Sequence, residues 1–129
     1  LNFVADHRIK TSRNGEITFF GKVVSETGTP LPGVRLDATI IYAEPSLAKA
    51  VMEGDVPRQK SVTLITDNDG NFRIGDLVGS TVHISNFSKD GYEIATDRKA
   101  WGYSFIPNRS RLHVPDPENP EVFTMRRVE

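Results

Sequence analysis

From Phe19 to Tyr92 the chain runs through short stretches in which apolar and polar side chains alternate, each closed by a turn built around glycine. A two-residue repeat puts successive side chains on opposite faces, as in a strand with one buried face, whereas a helix repeats every 3.6 residues. Ile17, Phe19, Gly21 and Val23 fall on one face of a first strand, with Thr18, Phe20, Lys22 and Val24 on the other. The clearest alternation sets Val34, Leu36, Ala38, Ile40 and Tyr42 against Arg35, Asp37, Thr39 and Ile41. Ser61 to Thr66 and Asn71 to Ile74 flank Asp67-Asn68-Asp69-Gly70, which together read as a hairpin with Phe72 and Ile74 facing the core. Gly75 to Gly79 reads as another turn, followed by a strand with Val82 and Ile84 inward. Gly28, Gly33, Gly70 and Gly91 are the turn glycines, placed where backbone reversal favours a residue without a Cβ.

Outside these runs the chain is less regular. Residues 1–15 mix apolar and charged side chains and are expected to form an N-terminal arm or edge strand. Residues 43–59 interrupt the alternation. Ser46 followed by Leu47, Ala48, Lys49, Ala50, Val51, Met52 and Glu53 has an N-cap and good helix formers, so one short helical insertion is expected. Leu47, Val51 and Met52 would cap the core or dock a neighbour. Tyr92 to Ala95 and Trp101 to Phe105 continue the strand series, and residues 115–120 are too rich in proline for sheet or helix. They form a connector to a last strand at Val122 to Met125. Short strands at intervals of about ten residues, without alternating helices, predict an all-β, seven- to eight-stranded antiparallel Greek-key sandwich. Residues 16–129 would make this single domain.

Composition narrows function further. At 129 residues the chain is sized for one core. Its 16 basic and 17 acidic side chains leave no positive excess to draw it to nucleic acid or anionic lipid. No stretch approaches the roughly eighteen apolar residues of a membrane span. With no cysteine there is neither disulfide nor thiolate site. Beginning at Leu1 rather than Met, the chain is expected to be a processed or trimmed piece of a longer protein.

Gly21-Lys22-Val23-Val24, then Gly28-Thr29-Pro30-Leu31-Pro32-Gly33-Val34, then Thr66 to Phe72 through Leu77, and finally Lys89-Asp90-Gly91-Tyr92 follow one another in a telling order. In that order and spacing the chain resembles the carboxypeptidase regulatory-like family, a transthyretin-like or prealbumin-like sandwich. The resemblance covers a little over half of the chain and implies no carboxypeptidase activity. It implies an immunoglobulin-like accessory, structural or protein-interaction module of an exported bacterial protein, whether periplasmic, surface-held or secreted. Lipid anchoring through a segment upstream of Leu1 is compatible with it. Neighbouring domains, another protein or a glycan would be the partners, and no cofactor is expected.

Reactive constellations are sparse. His7, His83 and His113 lie far apart with no helical metal-ligand spacing, and no Gly-x-Ser-x-Gly elbow is present. Catalysis is therefore not expected. Asp67, Asp69 and Asn71 resemble the opening of a calcium loop. However, Gly70 comes fourth rather than sixth, and Val78 stands where the bidentate glutamate belongs. A turn closed by Asp and Asn side chains accounts for the same residues. Trp101, Tyr103 and Phe105 recur every second residue, about 7 Å apart along one face of a strand. Such a row could stack on sugar rings as a carbohydrate-binding site, or fill the core as large aromatics usually do.

Overall fold

The structure, a computed structural model, describes residues 15–44, 56–106 and 112–128. Eight strands run in chain order: β1 (Gly15–Ser25), β2 (Arg35–Glu44), β3 (Val56–Ile65), β4 (Asn71–Gly79), β5 (Thr81–Ser88), β6 (Tyr92–Ile94), β7 (Ala100–Ser104) and β8 (Glu121–Arg127). They form two four-stranded sheets, ordered β4-β1-β8-β6 and β3-β2-β5-β7. The described residues are thus all-β, in two layers. Pairing is antiparallel except between β1 and β8, which run parallel from Gly21 beside Glu121 to Ser25 beside Met125. The fully antiparallel arrangement expected from sequence therefore needs one correction, because the last strand enters beside the first in the same direction.

Residues 1–14 and 45–55 lie outside the described residues, and with them the arm, Leu47, Val51, Met52 and the expected helix. The flanks of that insertion are strand: residues 43–44 close β2 and residues 56–59 open β3.

The alternation is realised closely. Along β1 every second residue from Gly15 to Val23 is buried, and on β2 Leu36, Ala38 and Ile40 have no more than 1% of their surface exposed. Facing residues Phe72, Ile74, Val82, Ile84, Phe123 and Met125 complete the interior. Two buried polar side chains lie among the described residues, Thr66 and Ser104, and both serve the backbone. Thr66 Oγ1 donates to the Leu31 carbonyl at 2.7 Å and accepts from the Val34 N–H at 2.9 Å. Ser104 Oγ donates to the Ile106 carbonyl.

Two local expectations are overturned. The stretch from Ser61 to Ile74 is not a hairpin: β3 pairs with β2 in one sheet and β4 with β1 in the other, so residues 66–70 form an arch between layers. The turn chemistry is as expected, but strand partnership depends on which neighbours cover each apolar face. Likewise Gly75-Asp76 is a bulge within β4 rather than a turn after it. These two residues oppose Thr18 while pairing resumes at Leu77, with Asp76 at φ 61°. An extra residue bends and twists a strand without ending it.

Candidate interaction site at the β3–β4 arch

The arch is closed by its own first carboxylate. Asp67 Oδ1 accepts from the backbone N–H groups of Asp69 and Asn71, both at 2.9 Å, and the Gly70 N–H donates to the Asp67 carbonyl. Gly70 has φ 75°, and a Cβ there would stand 2.6 Å from the Val23 carbonyl oxygen. That approach lets the Gly70 carbonyl accept from the Val23 N–H, tying the arch to β1. The proposed calcium ligands Asp67, Asp69 and Asn71 thus share a turn in which the Asp67 side chain holds backbone donors.

Beside the arch lies a cleft of about 460 Å³. Phe20 and Gly21 of β1, Leu64 and Ile65 of β3, and Asn71, Phe72 and Arg73 of β4 line it together with Asp67, Pro117 and Pro120. Gly21 is bare because the Phe72 ring occupies the space its Cβ would need. The prolines come from the connector, where Asp116 accepts from the Glu118 N–H and from Asn119 Nδ2. The Asn119 bond, followed by that from Glu118, holds the Asp116 carboxyl below its usual range. The walls are chiefly apolar. Ile65 is 66% exposed, and the Arg73 side chain folds back over Gly75 at the rim. A concave apolar surface with a few polar groups suits binding rather than bond making.

The aromatic row lies elsewhere, with Trp101 and Tyr103 on β7 and Phe105 just past its end, and its rings pack toward the interior. Trp101 meets Phe87 and Phe123 edge-on at centroid distances of 5.4 and 5.2 Å, and the Arg98 guanidinium lies over its ring. Tyr103 lies 4.7 Å from Phe19, and Phe105 is buried. Burial pushes the Tyr103 hydroxyl up to about 12. Trp101 and Tyr103 are half-buried.

His113 stacks on Phe19 at 5.1 Å and meets Tyr103 and Phe105 edge-on, while its backbone N–H donates to the Ser104 carbonyl. Burial among these rings lowers its pKa, and the Glu121 carboxylate acts weakly in the other direction. His83 is exposed on β5, and His7 lies outside the described residues. The two described histidines therefore stand on different surfaces. On the opposite sheet Asp37 accepts from Asn86 Nδ2 and Thr63 Oγ1, bonds that hold its carboxyl below the usual range.

Sequence reasoning placed Asp67 and Asn71 in a turn but missed Phe20, Ile65, Arg73 and the connector prolines as one site. The available signal was Phe20 and Ile65 themselves, large apolar residues on the polar side of their strands.

No family model and no curated protein matches the sequence. Among solved structures the chain is similar to a streptococcal ancillary pilin at 17% identity and a TM-score of 0.48, covering 90% of this chain and 30% of the pilin. It is also similar to 3-chlorocatechol 1,2-dioxygenase from Rhodococcus opacus at 18% identity and a TM-score of 0.49, covering 93% of this chain and 63% of the enzyme. The chain spans less than two thirds of either protein, and at this level of similarity neither role transfers to it.

Proposed function

We propose that this chain is a non-catalytic structural or protein-interaction module of an exported bacterial protein, built as a transthyretin-like Greek-key sandwich of the carboxypeptidase regulatory-like kind. The observation that carries the reading is how the interior is used. Among the described residues fifteen buried apolar side chains fill it, and the two buried polar ones bond backbone groups. His113 packs against three rings, stacked on Phe19 and edge-on to Tyr103 and Phe105. General acid–base work needs a titratable group within hydrogen-bond reach of a substrate, and the His113 ring is engaged in packing instead. The cleft, with apolar walls and one guanidinium at its rim, suits contact with a polypeptide.

The experiment is a glycan array with the purified domain, paired with identification of the residues upstream of Leu1. A module of this kind gives no saturable glycan response and is preceded by an export signal. A saturable response lost in Trp101→Ala would instead establish the carbohydrate-binding alternative through Trp101, Tyr103 and Phe105. An upstream sequence without an export signal would overturn the exported setting.

A further inference from the structure

Residues 112–120 lead into β8, and they touch sheet pairing only at one bridge, between Leu112 and Ser104. Pro115, Pro117 and Pro120 have no N–H to donate. Among the described residues a single hydrogen bond ties this strap to the rest of the molecule, from the His113 backbone N–H to the Ser104 carbonyl at 2.7 Å. The bonds around Asp116 are internal to the strap and close its turn with Glu118 and Asn119. Side-chain packing therefore seats the strap.

That packing rests on a titratable group. Leu112 and Val114 face solvent, at 46% and 75% exposure, while the ring of His113 between them stacks on the fully buried Phe19 and meets Tyr103 and Phe105 edge-on. An aliphatic side chain in that place would hold the strap at any pH. Imidazole holds it best while neutral, because an imidazolium pressed among rings loses hydration that they do not replace. Among the described residues two other titratable groups bear on it. The Glu121 carboxylate, at the start of β8, favours the charged ring but acts more weakly than burial, so the pKa of His113 is lowered. Tyr103 stays neutral, its hydroxyl pushed up to about 12 by burial. Phe19 of β1 and Phe105 carry no charge. The same strap supplies Pro117 and Pro120 to the cleft, opposite Phe20.

We propose that residues 112–120 are an acid-released strap: the neutral ring of His113 pins it over Phe19 and keeps Pro117 in the cleft wall, and protonation of that ring frees it and opens the cleft on that side. Both sheets stay intact, since no pairing between their strands uses a strap residue. The strap's own turn persists as well, because its hydrogen bonds keep the Asp116 carboxyl ionised below the usual range. The release is independent of what the cleft binds.

The test follows backbone amides and histidine rings by NMR from about pH 7.5 to about pH 4.5, in the parent, in His113→Phe and in His113→Leu. Both substitutions fill the same place without titrating. In the parent, order parameters of the strap amides are expected to fall from about 0.85 to below about 0.6 along the His113 titration curve, with the Phe19 and Phe20 signals shifting on the same curve and far-UV circular dichroism unchanged. Both variants are expected to keep the strap ordered throughout, with the exposed His83 still titrating as an internal reference. If neither variant folds, coincidence of the His113 and strap curves in the parent decides. Four results would overturn the proposal. A strap that stays ordered while His113 titrates would show that the ring faces and Glu121 hold the imidazolium in place. Loss of order that persists in the variants would assign it to a carboxylate or another histidine. Loss of β1 and β2 amides together with the strap would make the event unfolding of the domain. A His113 ring that stays neutral to about pH 4.5 would remove the trigger.

Discussion

Replacing Thr66 by valine isolates a buried hydroxyl that joins the arch to the connection between β1 and β2. The two side chains have nearly the same shape, so packing is retained while the hydroxyl is lost. Thr66 is 4% exposed, and its Oγ1 serves two backbone groups, the Leu31 carbonyl and the Val34 N–H. Leu31 and Val34 are themselves buried, at 5% and 0% exposure, so water cannot readily replace the hydroxyl. Leaving a buried donor or acceptor unpaired costs roughly 1–3 kcal/mol each. The Leu31 carbonyl has a second lone pair and some freedom to tilt, so about 3 kcal/mol in total is expected. For a domain of this size that lowers the thermal midpoint by roughly 8–12 °C. Thr66→Ser supplies the control. It keeps the hydroxyl and deletes one buried methyl, costing about 1 kcal/mol. Urea unfolding of the three proteins gives the values directly, with an unchanged dependence on urea showing that the unfolded state is not altered. A valine variant within about 0.5 kcal/mol of the parent, or a serine variant less stable than the valine one, would refute the reasoning, since about 1 kcal/mol is the least that one unpaired group should cost.

Gly70→Val places a branched side chain at φ 75° and its Cβ 2.6 Å from the Val23 carbonyl oxygen, so a loss of at least about 2 kcal/mol is expected in calcium or in chelator. A calcium-dependent rise in the parent's melting temperature would contradict the self-closed turn. His113 has a lowered pKa in the folded chain, so between its ordinary 6.5 and that lower value the unfolded chain binds more protons. Its contribution is complete above the unfolded value and declines as pH falls toward the folded one; His113→Leu should flatten this part of a urea-measured stability profile. Tyr103 behaves in the opposite sense. Its contribution is complete below pH 10 and lost as pH rises toward 12, which Tyr103→Phe should remove in alkaline unfolding curves. Trp101→Ala removes contacts with Phe87 and Phe123 and should cost about 2–4 kcal/mol, read by chemical unfolding monitored by circular dichroism. A neutral result would mean that the ring does not pack as described.

How much of this was legible in the sequence depends on the range of the interactions involved. Alternation on β1, β2 and β5 identified which residues turn inward because side-chain direction in a strand is set by its immediate neighbours. The arch glycine was equally visible, since positive φ is a requirement of one residue. Strand partners were not. Asp67 to Gly70 would close a hairpin or an arch with the same local bonds, and the outcome turns on whether β4 is better covered beside β3 or beside β1. Gly75-Asp76 carries a turn's composition, yet a bulge uses the same backbone freedom without reversing the chain. The Trp101 to Phe105 spacing established one shared face, while the facing positions of Phe19, Phe87, Phe123 and His113 turned that face inward.

The cleft lay furthest from view. Its walls come from β1, from the stretch of β3, arch and β4, and from the proline connector, three segments distant in sequence that the two sheets bring together. By itself, then, the sequence determined the strand character of the described residues with their inward faces and turn glycines, because those follow from backbone geometry and the burial of apolar side chains. The tertiary structure decided the division into two sheets, the parallel β1–β8 pairing, and the pairing of β3 with β2 rather than with β4, because each is a competition between distant partners that no local pattern records.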